Sequence, residues 1–261
     1  MKIREIIGAL EQVAPLSLQD GYDNAGLQIG LTEDADASGA LLCLDVTEEV
    51  LDEAAEKGCN LVVSHHPLLF RPPKHITGAD YVQRCIIKAI KQDIAVYSAH
   101  TNLDNAPGGV SWCMAKKLNL LDCHPLEPRS DMEGAGAGLI GNLPEVMERE
   151  DFIALVKEVF DADCVRYNSW KGEQVKRIAL CGGAGAFLIP SAIAAGADAF
   201  ITGEIGYHRF FGLEHDIQLM EIGHFESEQY TLEILRKILA DTNPELPIYD
   251  TETETNPINY L

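Results

Sequence analysis

Two stretches of this chain repeat one another without a gap. Leu41–His66, LLCLDVTEEVLDEAAEKGCNLVVSHH, aligns with Ala179–Glu204, ALCGGAGAFLIPSAIAAGADAFITGE, at a constant separation of 138 residues. Cys43 falls on Cys181, Ala54 on Ala192, Gly58 on Gly196, Asn60 on Asp198 and Ser64 on Thr202. Each copy reads as an apolar strand, a turn, a helix (Thr47–Lys57 and Phe187–Ala195), a glycine stop and a second strand ending at Ser64 or Thr202. The likeness resumes downstream at a slightly different separation. Ile94–Asp104, IAVYSAHTNLD, resembles Leu219–Glu228, LMEIGHFESE. In both, an apolar strand runs into His-x-x-x-carboxylate, His100 with Asp104 and His224 with Glu228. Strand–helix–strand–helix–strand, twice over, confines the chain to the α/β class, with mainly parallel sheets and helices on their faces. Unrelated βαβ units also converge on such apolar patterns; the matched Cys, Ala and Gly favour duplication.

At 261 residues the chain has room for one large α/β domain or two compact lobes, and the repeat favours the lobes. They are expected to span 1–125 and 126–261, because DCHPLEPRSDMEG, around Asp122–Glu133, has turn composition and no periodicity. No apolar stretch approaches the roughly 18 residues that a membrane span needs. The opening segment MKIREIIGALEQVAPLSL is broken by Glu5 and Glu11, so it reads as an amphipathic helix and not as a signal peptide. A cytoplasmic setting follows as the expectation. A net charge of −21 argues against nucleic-acid partners, whose phosphates call for a basic surface. The seven cysteines are scattered, without a C-x-x-C pair, which suits reduced thiols and argues against a cysteine zinc site.

The chemistry gathers at the strand ends. His65 and His66, in NLVVSHHPLLF, close a short β-branched run, and strand ends are where α/β folds meet ligands. The second copy delivers Gly203 and Glu204 to the equivalent place. If the lobes face one another across a central cleft, His65, His66, Asp104, His224 and Glu228 converge there, with His100 and Glu204 nearby. Imidazoles and carboxylates without thiolate suit Zn, Mn, Fe or Co. Five ligands exceed the three that one catalytic zinc takes from protein, so they would serve two ions, with Glu228 or water bridging. Paired ions activate water against phosphoryl or amide-like bonds. If Glu228 opens the helix within ESEQYTLEILRKIL, His224 sits just before it on the loop.

Each motif has a plainer reading. His-His-Pro would also cap a loop, His-x-x-x-Asp arises often by chance, and Asp104, in NLDNAPGG, suits an Asx turn. The glycines of CGGAGAF, Cys181–Phe187, would present amides to an anion or simply make a tight turn; they match neither a P-loop nor G-x-G-x-x-G. Arg71, Lys74 and His75 are the nearest basic groups after the histidine pair, placed to meet a substrate phosphate or to be solvated. In YHRFF, Tyr207–Phe211, His208 reads as part of a helix face.

Taken together, DNAGLQIG (Asp23–Gly30), SHHP (Ser64–Pro67), HTNLD (His100–Asp104), TGE (Thr202–Glu204) and GHFESE (Gly223–Glu228) resemble, in order and spacing, the GTP cyclohydrolase 1 type 2 homologue family, also called NGG-interacting-factor-three-like. The resemblance covers essentially the whole chain. It implies two similar α/β lobes with a dinuclear metal centre between them, assembled as a toroidal homohexamer. It also implies His65, His66, Asp104, His224 and Glu228 as metal ligands, with His100 and Glu204 behind them to orient the ligands and tune bound water. Longer members carry a domain inserted between the halves, which is expected to be absent here. Phe225 stands where relatives often have a second histidine. The activity implied is that of a metal-dependent hydrolase of a small anionic substrate, a phosphoester or a purine nucleotide, with Glu228 or Glu204 moving protons. The competing class is a non-enzymatic metal-binding scaffold or regulatory protein partner.

Overall fold

The computed structural model describes residues 1–30, 34–130 and 132–261. The chain begins with α1 (Ile3–Val13), β1 (Gly26–Ile29), β2 (Ala40–Cys43), α2 (Glu48–Glu56), β3 (Leu61–Ser64), α3 (Tyr81–Lys91), β4 (Ala95–Ser98) and α4 (Thr101–Asp104). It continues with α5 (Val110–Lys117), β5 (Leu121–Pro128), β6 (Gly136–Glu148), α6 (Arg149–Val159), β7 (Arg166–Tyr167), β8 (Gln174–Cys181), α7 (Ile189–Ala194), β9 (Ala199–Thr202), β10 (Gln218–Glu221) and α8 (His224–Glu228). It closes with α9 (Thr231–Thr242) and β11 (Ile248–Asp250). Two compact units result: Met1–Leu103 with Thr231–Pro257, and Asp104–Tyr230 with Ile258–Leu261.

The first unit is built on a five-stranded sheet, order β1-β4-β3-β2-β11, parallel except for β1. Strands β2, β3 and β4 are buried along their whole length, which is why they read as continuous apolar runs without alternation. Val50, Leu51 and Ala54 of α2 and Cys85, Ile86 and Ala89 of α3 pack in one core cluster with Leu41, Val62 and Val96 of the sheet. Helix α2 starts where Thr47 Oγ1 accepts the Val50 amide at 3.2 Å, with Glu48 and Glu49 in its first turn favouring the positive end of the helix dipole.

The second unit carries a six-stranded sheet, order β5-β6-β8-β9-β10-β7. Its inner trio β8-β9-β10 is parallel, whereas β5, β6 and β7 pair antiparallel. This sheet is therefore mixed, not mainly parallel as the repeat suggested. The antiparallel strands lie outside the repeated segment, and β5 reaches β6 through a connection too short for a parallel crossover.

Within the repeat the strands of the two units agree in register, although the helix of the second copy is shorter and preceded by a 3-10 turn, Gly185–Leu188. Ala40 pairs with Leu61 and Cys43 with Ser64; at the same separation Ile178 pairs with Ala199 and Cys181 with Thr202. The amide of Ser38 donates to Asn60 Oδ1 at 2.9 Å, and that of Lys176 to Asp198 Oδ2 at 2.9 Å. Gly58 and Gly196 both take φ +71 just past their helices, a left-handed stop that glycine reaches without strain. The third strands extend the match: Ala99 N–H donates to Ser64 O at 2.9 Å and Ile222 N–H to Thr202 O at 3.1 Å. The changed separation seen in the sequence arises earlier: the connection from second to third strand runs from Ser64 to Ala95 in the first copy but only from Thr202 to Gln218 in the second, and Gly223 then adds one residue before the second copy's histidine.

The expected division at 125/126 is not where the units part. Leu121–Pro128 is no linker but a strand, paired antiparallel with β6 at the edge of its sheet. Its prolines gave it the look of a turn, and an edge strand tolerates them because one side of its backbone needs no ladder partner. Asp131, within that expected boundary, lies outside the described residues. Among the described residues no helix is long and apolar enough to cross a membrane.

Candidate metal centre

In the first unit, β3 ends at Ser64 and hands on directly to the histidine pair. The amide of His65 donates to Cys43 O at 3.1 Å and that of His66 to Leu44 O at 2.9 Å, so both residues stay tied to the end of β2 just beyond the last ladder pair. Both imidazoles thereby stand at the C-terminal edge of the parallel sheet, the usual ligand edge of such sheets. His100 follows β4 in the neighbouring position and precedes α4. Asp104, the first residue of the second unit, ends α4 and is half-buried.

Each of the three rings has its Nδ1 engaged. His65 Nδ1 lies 2.8 Å from Ala99 O, His66 Nδ1 2.9 Å from Asp45 Oδ1, and His100 Nδ1 2.8 Å from Asp23 Oδ1. A carbonyl oxygen only accepts, so His65 carries its proton on Nδ1 and keeps Nε2 as a lone-pair donor. One nitrogen from each ring lies within 4.8 Å of the other two. The side chain of Asp23 is fully buried, and it also accepts from the amides of Asn24 at 2.6 Å and Thr101 at 3.1 Å and from Thr101 Oγ1 at 2.5 Å. Burial works against its charged form, but the hydrogen bonds from His100 and Thr101 outweigh it and hold the carboxyl at about 2.

In the second unit, Glu204 follows β9 as His65 and His66 follow β3, and its Oε1 lies 2.7 Å from His224 Nδ1. His224 Nε2 is 3.1 Å from Glu228 Oε2. Here the structure departs from the sequence-based expectation: Glu228 does not open the long helix but ends α8, with His224 at its start. Spacing of i, i+4 puts both side chains on one helical face. Glu228 is only 3% exposed. Gly183, at φ +60, lies so close beneath this carboxylate that a Cβ there would come within 2.3 Å of Glu228 Oε1.

That contact decides between the two readings of CGGAGAF. The amide of Gly183 donates to Ser227 Oγ and that of Gly185 to Thr202 Oγ1, each at 2.9 Å, and Gly183 O accepts from Gly203 and Glu204. The loop is a tight turn that seats Glu228 and Glu204. Arg71, Lys74 and His75 are exposed in the segment after the histidine pair. His208 sits in an exposed turn of 3-10 helix, Tyr207–Phe210, with its ring against Tyr207 and Phe211.

The structure thus brings together His65, His66 and His100 in one unit, and Glu204, His224 and Glu228 in the other. Sequence reasoning missed Asp45; it quoted Asp23 and Gly183 within motifs but gave neither its role behind a site side chain. Asp45 had a usable signal, since it lies two residues beyond β2 at the same sheet edge. The donor set fits a divalent transition metal: imidazoles with Nδ1 engaged by a carbonyl or carboxylate are the form in which histidine binds such ions, and the carboxylates supply charge.

The sequence profile of the family described as Duf34/NIF3 (NGG1p interacting factor 3) matches residues 1–257. A Clostridium perfringens (strain 13 / Type A) protein named GTP cyclohydrolase 1 type 2 homolog is 34% identical over 268 positions, which cover 100% of both chains. A crystal structure of a Staphylococcus aureus protein superposes with a TM-score of 0.91 at 27% identity, covering 100% of this chain and 99% of that one. A Bacillus cereus protein related to NIF3 superposes at 0.89 and 25% identity, with the same coverage.

Proposed function

The chain belongs to the Duf34/NIF3 family, and from that premise we propose that it binds two divalent metal ions and uses them to hydrolyse a small anionic substrate, a nucleotide or another phosphoester. The proposed ligands are His65, His66, Asp104, His224 and Glu228, and the proposed ions are Zn, Mn, Fe or Co. One observation carries this reading: each of the three ligand histidines has its Nδ1 engaged, His65 by Ala99 O, His66 by Asp45 and His224 by Glu204. That arrangement fixes the tautomer and ring plane that metal ligation needs. When bound, such ions polarise phosphoryl oxygens and make water acidic at neutral pH.

The chain's own groups have distinct tasks in this scheme. Asp45 and Glu204 hold the rings. Glu204, with 59% of its side chain exposed, would pass a proton to solvent, while Glu228, nearly sealed, would supply charge. Arg71 and Lys74 would meet the substrate's phosphate. The name of the Clostridium relative makes GTP the first substrate to try. A second reading, a non-catalytic metal-binding partner of other proteins, draws on the words "interacting factor" in the family description. The homohexameric ring that the family resemblance implies belongs to the same proposal, with a scattering mass near six chains as its check. The seven free cysteines suit a reducing, cytoplasmic setting.

The test is elemental analysis followed by a substrate panel. Wild type is expected to hold close to two ions per chain, with His65→Ala and His224→Ala each losing at least one. Unchanged metal content in both variants overturns the ligand assignment. If the loaded protein turns over neither GTP nor any phosphoester in the panel, the hydrolase reading gives way to the binding one.

A further inference from the structure

We infer that Tyr22 and Phe70 form a platform on which the planar base of a nucleotide stacks, while Arg71 and Lys74 meet its phosphates. This rests on the reading of the chain as a hydrolase of a small anionic substrate, and it narrows that substrate from phosphoesters at large to nucleotides. Every residue of the platform lies in the first unit. The rings of Tyr22 and Phe70 meet edge to face with their centroids 6.3 Å apart, and the Phe70 ring in turn meets that of His100 at 5.9 Å. An aromatic pair therefore adjoins the edge of the sheet at which α/β folds receive ligands. Both rings are open to water, Tyr22 64% and Phe70 40% exposed.

The backbone beneath these exposed rings is nevertheless firmly built. Tyr22 sits in a turn closed by the Asp23 amide donating to Asp20 O at 2.9 Å, and the Phe70 amide closes a second turn onto Pro67 O at 3.1 Å. Two side-chain amides tie the turns together: Asn24 Nδ2 donates to Leu69 O at 2.9 Å, and Gln28 Oε1 accepts from the Leu69 amide at 3.1 Å. The Tyr22 hydroxyl donates to Asp20 Oδ2 at 3.0 Å, which steadies the ring. Apolar rings held in water on a fixed support suit stacking, for every base has a π face and little ordering remains to be done on binding. Charge favours the same ligand. The chain carries −21 overall, yet no acidic residue occurs from Leu61 to Ala79, and exposed Arg71 and Lys74 follow Phe70 directly. Among the described residues neither cation is held in an ion pair. An aliphatic phosphoester would use only the cations; a nucleotide uses the cations and the rings.

The experiment compares ligands that share phosphates and differ in the base. Full-length, metal-loaded protein is titrated with the non-hydrolysable β,γ-methylene analogues of GTP and ATP and with inorganic tripolyphosphate. Wild type is expected to bind at least one analogue about tenfold or more tightly than tripolyphosphate. Phe70→Ala and Tyr22→Ala should each weaken analogue binding about tenfold and leave metal content and tripolyphosphate binding as they are. Phe70→Trp and Tyr22→Phe retain a ring and should retain the preference. Arg71→Ala should weaken all three ligands alike, the mark of a phosphate contact. Circular dichroism checks each variant for an intact fold; should one alanine variant fail to fold, the other still decides. Equal affinity for analogues and tripolyphosphate, or a preference that survives both alanine variants, overturns the platform and leaves the metal-hydrolase reading intact. Failure to bind any of the three ligands overturns the platform as well. Elemental analysis keeps the two readings apart: wild type without ions that still prefers the analogues keeps the platform and loses the hydrolase, and wild type with neither ions nor preference loses both.

Discussion

His224 Nε2 and Glu228 Oε2 stand 3.1 Å apart, one turn from each other on α8. Glutamine at 228 keeps the size of the side chain and most of its hydrogen bonding but removes the charge that an ion would share. Glu228→Gln is expected to lower metal content by at least one ion per chain and to slow hydrolysis of any substrate found by orders of magnitude. The melting temperature of the metal-free protein should move little. Metal analysis and turnover of the reloaded variant are the readouts; wild-type values in both would remove Glu228 from the site.

Gly183 offers a way to disturb the same carboxylate without touching a ligand. Alanine there would bring its Cβ within 2.3 Å of Glu228 Oε1 at a backbone φ of +60. Gly183→Ala is expected to weaken metal binding and to destabilise the fold by about 1–2 kcal/mol from left-handed strain alone. Isothermal titration with Zn or Mn, next to a thermal melt, separates the two effects; unaltered affinity would mean that the loop does not seat the carboxylate.

The duplicated helix stops allow an internal comparison. Gly58 and Gly196 share φ +71, and a Cβ on either meets no atom within 4 Å, so only backbone strain opposes alanine. Gly58→Ala and Gly196→Ala should each cost about 1 kcal/mol, with the double variant near their sum, since neither new Cβ meets another atom and the sites share no partner. Urea unfolding measures this. A neutral Gly196→Ala beside a costly Gly58→Ala would show that the two stops are not equivalent.

The thiols predict an alkaline limit. Burial, with Glu48 and Glu49 nearby, pushes Cys85 up to about 11. A raised thiol pKa stabilises the fold fully below the unfolded value of about 8.5, and that stability is lost as pH rises toward 11. Cys85→Ala should therefore lose less stability than wild type between those limits, even though it starts lower from the small cavity. At pH 8, exposed Cys164 should react with a thiol reagent well before buried Cys43, Cys59 and Cys85. Denaturation midpoints against pH and a labelling time course check the two statements.

The parts of this fold that were legible in the sequence are those governed by local pattern. Four-residue buried strands, a Thr47 cap and a glycine at φ +71 leave marks within a dozen residues, and so the repeat and the histidine pair could be read directly. Three features could not. Leu121–Pro128 has the composition of a turn because an edge strand tolerates Pro125 and Pro128. Helix α8 has five residues, too few to show a helical period, so His224 and Glu228 looked like a loop and a helix start. Asp23 reaches His100 across 77 positions of sequence, a pairing that only the finished sheet edge creates.

The order in which this chain leaves a ribosome bears on how it must be handled. The first unit is completed by Thr231–Pro257, where α9 packs against α1 and β11 pairs in parallel with β2. Until those residues emerge, β2 is a bare edge strand, buried along its whole length in the finished sheet and bearing no charge between Ala40 and Cys43. The nascent first half therefore carries a sticky template throughout synthesis of residues 104–230, with the hazard of pairing with other chains that an uncovered apolar edge brings. Truncations that stop short of Ile248 should aggregate for this reason, and a holding chaperone should favour the growing chain over the finished one.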